Sequence, residues 1–313
     1  MVDISGLLRN DTGWRGAARW HLNRWMLRRL RLAERLGMWL TVYDGFGGLG
    51  DTLLTAIVCR HVARRFPEIR INCITPNPEL VKEDPNLATL NGPETYLSLR
   101  HWYLDLIERK QGHVNVLEES MRSIGMPSYD FRASVYLTEA ERGEALERLG
   151  PVSRPVVSLN TRSKEPVKNW PAERWRSLAA MLRTRFDVIQ LGDGSELEIE
   201  GVRRFAGRLS LRESMAVLSH AQAHVGPDSF LTHAANGLGV PSVVLHGGSR
   251  TTVNVGYAGN INLHVPMPCG PCYIHQSRGE ICGHAVECMD RISVEEVHAA
   301  VLRQINGSAL RCR

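Results

Sequence analysis

Apolar and polar positions in this chain follow two rhythms, one of strand length and one of helical spacing. Trp39–Asp44 (WLTVYD) is a short apolar run, the glycine-rich stretch 45–50 follows it, and residues 51–66 place apolar side chains at helical intervals. Pro67 stops that helix and 69–75 is a second apolar run, so the pattern predicts a strand–helix–strand unit. Residues 76–137 are less regular, with helical patterns near 95–110 and 116–124. Thr138, with Glu141 three positions on, opens a polar helix that runs to 149. Gly150-Pro151 and Arg154-Pro155 then punctuate the chain, and a domain boundary is expected there. Beyond it the pattern predicts strand 156–159, helix 171–185, strand 187–191 and helix 210–220. The stretch 223–246 reads AHVGPDSFLTHAANGLGVPSVVLH: an apolar run, a polar turn at 226–229, a helix stopped by Gly237 and Gly239, and a further apolar run at 243–246. Strands alternating with helices imply α/β architecture, with parallel sheets covered on both faces. Two such halves joined by one linker predict a cleft between their facing carboxyl edges. No internal repeat and no low-complexity segment is present.

Charge changes this picture at one end only. The whole chain carries a net charge of +5. Residues 1–37 hold eight arginines (9, 15, 19, 24, 28, 29, 31, 35) against Asp3, Asp11 and Glu34, which accounts for all of it. A neutral body argues against nucleic acid as the partner, and a basic appendage points to a surface contact. Trp14, Trp20, Trp25, Leu22, Leu32 and Leu36 interleave with the arginines at loosely helical spacing. Two readings stand open: the segment lies on an anionic membrane, or it packs on the body or on a second subunit. No run of roughly eighteen apolar residues is present, and the N-terminus has no apolar signal-type core. The chain therefore reads as cytoplasmic, with residues 1–37 offering a peripheral inner-membrane contact.

Three loops carry candidate chemistry. Gly45-x-Gly47-x-x-Gly50 matches a dinucleotide fingerprint in form, but the second strand ends Cys73-Ile74-Thr75-Pro76 without the carboxylate that would hold a ribose. The glycines are better read as letting the backbone approach another ligand. Asp51, in the first turn of the following helix, is either a dipole-stabilised cap or a base for a hydroxyl proton. Arg162, Lys164 and Lys168 crowd the loop before Trp170-Pro171, a helix start. Paired with the Asp228-Ser229-Phe230 turn, that loop points to a phosphate ligand at a helix N-terminus; the bland reading is that Asp228 and Ser229 only cap a helix. Cys269, Cys272, Cys282 and Cys288 form a C-x2-C-x9-C-x5-C cluster, a spacing that fits a thiolate-held metal, zinc or iron. Cys59 and Cys73 read as inert core residues and Cys312 as part of a tail.

These segments together resemble glycosyltransferase family 9, the heptosyltransferase-like proteins. GGLGDTLLTAIVCRHVARRFPEIRI is similar to the family's opening loop and helix. KNWPAERWRSLA resembles its lysine–tryptophan–proline segment, GPDSFLTHAANGLGVPSVVLHG its aspartate–histidine–alanine segment, and CGPC…C…CMDRISVEEV its cysteine-bearing tail. The four occur in family order across most of 39–300. The resemblance implies a GT-B fold of two Rossmann-like domains and a bacterial enzyme moving a sugar, usually heptose from ADP-heptose, with inversion. By position it implies Asp51 as general base, Lys168 at the donor diphosphate, Asp228 at the sugar and Glu196 at the nucleoside ribose. Gly50, the N–H groups of Ser229 and Phe230, and His233 complete the donor site. Phe230 stands where the family usually has glycine. The iron-binding cysteine motif of autotransporter heptosyltransferases favours iron at the cluster. The expected organisation is thus a basic helical extension (1–37), an acceptor domain (38–150), a nucleotide-sugar domain (151–265) and a cysteine-rich metal loop with a C-terminal helix (266–313). No D-x-D motif is present, so no divalent ion is expected in catalysis, and the acceptor is a lipopolysaccharide-type glycan or a protein. The alternatives are a related transferase using another nucleotide sugar, and a non-catalytic nucleotide-sugar-binding or scaffold protein of the same fold.

Overall fold

The computed structural model of the chain describes residues 15–275 and 279–311, with side chains for 25–275 and 279–307. Asp3, Arg9, Asp11, Trp14 and Cys312 lie outside the described residues, as do the side chains of Arg15, Arg19, Trp20, Leu22 and Arg24. The first elements are α1 (Arg15–Arg35), β1 (Trp39–Asp44), α2 (Leu49–Arg65), β2 (Arg70–Ile74), β3 (Thr89–Leu90), β4 (Leu97–His101), α3 (Leu104–Glu108), α4 (Glu118–Ser123) and α5 (Glu139–Leu149). After them come β5 (Val156–Leu159), α6 (Ala172–Arg183), β6 (Asp187–Gln190), β7 (Arg203–Arg204), α7 (Leu211–Leu218), β8 (Ala223–Pro227) and α8 (Phe230–Leu238). The chain closes with β9 (Ser242–His246), α9 (Thr252–Val255), β10 (Ile261–His264), α10 (Glu287–Asp290) and α11 (Val294–Arg311).

Two compact α/β units result, each with a wholly parallel sheet. The first comprises the chain through Tyr103 together with Val116–Phe131. Its four strands run in the order β3-β2-β1-β4, with Leu40 of β1 opposite Ile71 of β2 and Leu97 of β4. Leu40 and Val42 are fully buried, and α2 is buried along nearly its whole length from Thr52 to Val62. A helix enclosed in this way needs no polar stripe, which is why its sequence is apolar on most sides. The second unit holds Leu104–Asn115 and everything from Arg132. Its six strands run β10-β9-β8-β5-β6-β7. Trp170, Trp175 and Leu178 pack with Val297 and Val301 of α11 on the strand residues Val157, Val225 and Val243. Cys59 and Cys73 are buried in the first unit.

Two expectations are corrected. The period read as helical near 95–110 is in part a strand: Leu97, Leu99 and His101 are buried while Ser98 and Arg100 are exposed, a two-residue period along β4. The seam between units does not fall at 150. Arg212 Nε of α7 donates to Glu141 of α5 at 2.7 Å, Ala133 N donates to Asn236 Oδ1 at 2.9 Å, and Val135 N donates to Gly237 O at 3.2 Å. These bonds tie residues 132–150 to the second unit, so the Gly-Pro punctuation marks a turn within it.

Candidate functional site

In the first unit the glycine loop sits at the carboxyl end of β1 and is held by Asp44. Asp44 Oδ1 accepts from Gly47 N at 2.9 Å, and its Oδ2 accepts from Thr52 Oγ1 at 2.7 Å and Thr75 Oγ1 at 3.0 Å. Asn77 Nδ2 donates to Gly47 O at 3.1 Å, closing the cradle. The helix begins at Gly48 with no side-chain cap. Gly50 and Asp51 lie in its first turn, and the Asp51 carboxylate folds back over Gly48. A Cβ at Gly48 would stand 2.5 Å from Asp51 Oδ2, so only glycine leaves room for it. Tyr103 Oη donates to Asp51 Oδ1 at 2.6 Å. The Tyr103 ring lies tilted against Phe46 at 4.1 Å between centroids, and Phe46 in turn stacks on Trp102 at 5.0 Å. Arg100 lies over the Trp102 ring at 5.8 Å. Asp51 therefore stands beside an aromatic wall with a cation at its far end.

In the second unit three loops meet at the carboxyl edge of the sheet. Lys168, closing a short 3-10 turn after β5, donates from Nζ to Asp228 Oδ2 at 2.7 Å and to Asp228 O at 3.2 Å. Burial alone would raise the Asp228 carboxyl; the Lys168 ammonium overrides it and holds the group well below the usual carboxylate range. Capping by Asp228 and Ser229 is ruled out. No side chain caps α8, and Ser229 Oγ donates instead to Asn160 Oδ1 at 2.6 Å. The first-turn N–H groups at Phe230 are thus left pointing beyond the helix end, next to the Lys168–Asp228 pair, as an anion site requires. Phe230 is half-buried.

His233, one turn along α8, is buried and pushed down to about 4 by desolvation. Its Nδ1 meets Tyr257 Oη at 2.7 Å, while Nε2 stays 3.9 Å from Asp228 Oδ1. The neutral ring props the aspartate without forming an ion pair. Glu196 is buried and bonded within the unit: its oxygens accept from Asn160 Nδ2 at 2.7 Å and from Thr161 N and Oγ1 at 2.6 Å each. Burial pushes its carboxyl up to about 7 against those hydrogen bonds. Arg162 and Lys164 stay exposed. Asn160, Tyr257, Tyr103 and Asp44 were not singled out from sequence. Asn160, directly after β5, was the most findable, since that loop already looked functional.

The four cysteines are brought together. Cys269, Cys272, Cys282 and Cys288 line one cavity of about 30 Å³, with Val167 and Gly248. Burial and then the thiols of Cys282, Cys288 and Cys269 push the Cys272 thiol up. Cys288 Sγ accepts from Gly248 N at 3.1 Å, and Cys282 Sγ from His284 N at 3.4 Å. Among the described residues no three His, Cys, Asp or Glu side chains converge tightly enough to hold a metal as placed. A shared pocket of four thiols is nonetheless the donor set that a thiolate-bound ion takes.

Comparison with known proteins gives the family and the fold. The family model described as Glycosyltransferase family 9 (heptosyltransferase) matches residues 111–280. A stretch of 119 residues is 34% identical to lipopolysaccharide heptosyltransferase 1 of Pseudomonas aeruginosa, covering 34% of this chain and 32% of that relative. The chain thus spans about a third of the curated relative it matches. The fold is similar to that of E. coli ADP-heptose LPS heptosyltransferase II, with TM-score 0.61, 16% identity, and coverage of 87% of this chain and 100% of that one. It is also similar to the bacterial iron-containing dodecameric glycosyltransferase TibC from enterotoxigenic E. coli H10407, with TM-score 0.67, 18% identity, and coverage of 87% and 76%. TibC has also been solved in complex with ADP-D-β-D-heptose. The two parallel-sheet units are those of the GT-B fold.

Proposed function

This chain belongs to glycosyltransferase family 9, the heptosyltransferase family, and we propose that it moves a sugar, heptose from ADP-heptose, to a hydroxyl acceptor with inversion. The observation that carries the reading is the Lys168–Asp228 pair beside the uncapped N-terminus of α8. A diphosphate there meets an ammonium and backbone N–H groups at once. The complex of TibC with ADP-D-β-D-heptose supports the choice of donor.

The second unit takes the donor and the first takes the proton. The acceptor oxygen attacks the anomeric carbon as Asp51 accepts its proton, and the bond from that carbon to the diphosphate oxygen breaks. The charge that develops on the leaving ADP is met by Lys168 and the α8 N–H groups, without a divalent ion. Asp228 holds Lys168 in place and faces the sugar, and Ser229, Phe230 and His233 shape the turn. Glu196 supports this turn through its bond with Asn160, at the edge that takes the nucleoside ribose. The aromatic wall of Phe46 and Trp102 suits the apolar face of an acceptor sugar, and Arg100 suits an anionic substituent on it. Such an acceptor is a glycan of the lipopolysaccharide type.

Zinc or iron, with iron supported by its presence in TibC, would be held by Cys269, Cys272, Cys282 and Cys288. A metal there contributes to folding and takes no part in the transfer. The reading is tested by a thermal-shift screen of nucleotide sugars, followed by mass determination of the product. ADP-heptose should raise the melting temperature most; stabilisation by another nucleotide sugar alone would contradict the donor assignment.

A further inference from the structure

We propose that the outer face of α1, with Tyr96 beside it, is a docking surface for an anionic lipid membrane, a proposal independent of the transferase reading. The helix has two distinct sides. Leu30 and Ala33 are buried on the side that packs on α4. On the other side Trp25 is 61% exposed, Leu32 56% and Leu36 63%, and Tyr96 beside the helix is 84% exposed. Positions 25, 29 and 32 fall three or four apart and so share one helical face, and Leu36 follows in the turn just past the helix end. Arg29 joins the patch: its guanidinium lies 5.4 Å from the Trp25 ring and 5.4 Å from the Tyr96 ring. Exposed Arg28, Arg31 and Arg35 flank it. Glu34 is the one acidic residue between 15 and 35.

Charge selects the occupant. A second copy of this face would bring two sets of arginines together with almost no acid to oppose them. A nucleic acid would match the arginines and leave Leu32 and Leu36 without a partner. An anionic bilayer takes both: the aromatic rings and leucines enter the headgroup boundary, and the arginines reach lipid phosphates. The helix would lie in the plane of the surface, since no described helix is long and apolar enough to cross a membrane.

The test uses the full chain and phosphatidylcholine vesicles with and without phosphatidylglycerol, read by co-sedimentation at low and high salt. Binding should require phosphatidylglycerol and fade with salt. Neutralising Arg28, Arg31 and Arg35 to Gln should weaken it about fivefold each, on the order of a hundredfold together. Trp25→Ser with Leu32→Ser should also weaken it. Both sets change exposed side chains, so melting temperatures should hold, and either set alone can decide. Equal binding to neutral vesicles, or anionic binding untouched by both sets, overturns the proposal. So does an absence of vesicle binding with a dimer in light scattering that the Trp25 and Leu32 substitutions dissolve, which would assign the face to a second copy.

Discussion

Lys168 and Asp228, sixty positions apart in sequence, are joined by a 2.7 Å bond between Nζ and Oδ2 at the mouth of α8. The lysine side chain is 15% exposed and the aspartate 9%, so each partner is nearly withdrawn from water and depends on the other. An incoming diphosphate would meet a cation already oriented by its partner, with no reorganisation left to make.

Removing that cation should separate binding from folding. Lys168→Ala should weaken ADP binding about tenfold to a hundredfold, the value of one charge-assisted contact. It should also lower stability by about 3–5 kcal/mol, because Asp228 is left buried and uncompensated. Adding Asp228→Asn should restore much of the stability and none of the ADP affinity. Calorimetric titration with ADP and thermal melts on the three proteins check this, and unchanged ADP affinity in Lys168→Ala would remove the lysine from the site.

Gly48 guards the position of the Asp51 carboxylate. In Gly48→Ala the new Cβ would lie 2.5 Å from Asp51 Oδ2, so the carboxylate must turn away. Sugar transfer should fall by at least about tenfold while the melting temperature stays near that of the parent, since Gly48 is exposed at a helix start. Full activity in Gly48→Ala would mean that the orientation of Asp51 does not matter.

Much of this was legible in the chain itself. The switch from a strand run to a glycine loop to helical spacing located β1, the loop and α2, because each step has its own local signal. That the Lys168 loop and the Asp228 turn share one sheet edge was legible from their places after parallel strands; the direct bond between Lys168 and Asp228 was not, since no local rule connects side chains on two different loops. Capping by Ser229 stayed open as an alternative because sequence shows a hydroxyl at the right place but not that Asn160 turns it aside. β4 was misread because Leu97 and Leu104, seven apart, also fit a helical count, and the alternation of buried Leu97, Leu99 and His101 with exposed Ser98 and Arg100 appears only once β1 is in place beside it. Glu196 entered only through resemblance, because its partners Asn160 and Thr161 lie 36 and 35 positions earlier and no local signal joins them.

Glu196 predicts a pH effect with a definite sign. Its folded value, pushed up to about 7, lies above the ordinary 4.5. Between those values the folded chain keeps a proton that the unfolded chain has released. Its stabilisation is therefore full below about pH 4.5 and lost as pH rises through about 7. The buried histidines run the other way: His101 and His233, pushed down to about 4, and His224, to about 3, make the folded chain lose stability as pH falls below 6.5. The difference between Glu196→Gln and the parent isolates the glutamate. From about pH 5 to pH 8 that difference should move in favour of the variant by on the order of 2 kcal/mol. Denaturant melts at both pH values check it, and a constant difference would contradict the raised value.

The cysteine pocket makes an analytical prediction. Protein purified without added metal should carry close to one iron or zinc per chain, and Cys272→Ser or Cys282→Ser should lose it and melt lower. Elemental analysis with thermal melts decides, and a metal-free parent of full stability would contradict the assignment.

The central claim is that Asp51 takes the proton while the second unit holds the donor, and one comparison tests it most directly. Asp51→Asn and the parent are measured side by side for ADP affinity and for transfer from ADP-heptose. The account expects ADP affinity nearly unchanged and turnover reduced on the order of 10²–10⁴-fold, the usual worth of a positioned base. Equal losses in both quantities, or full turnover in the variant, would contradict it.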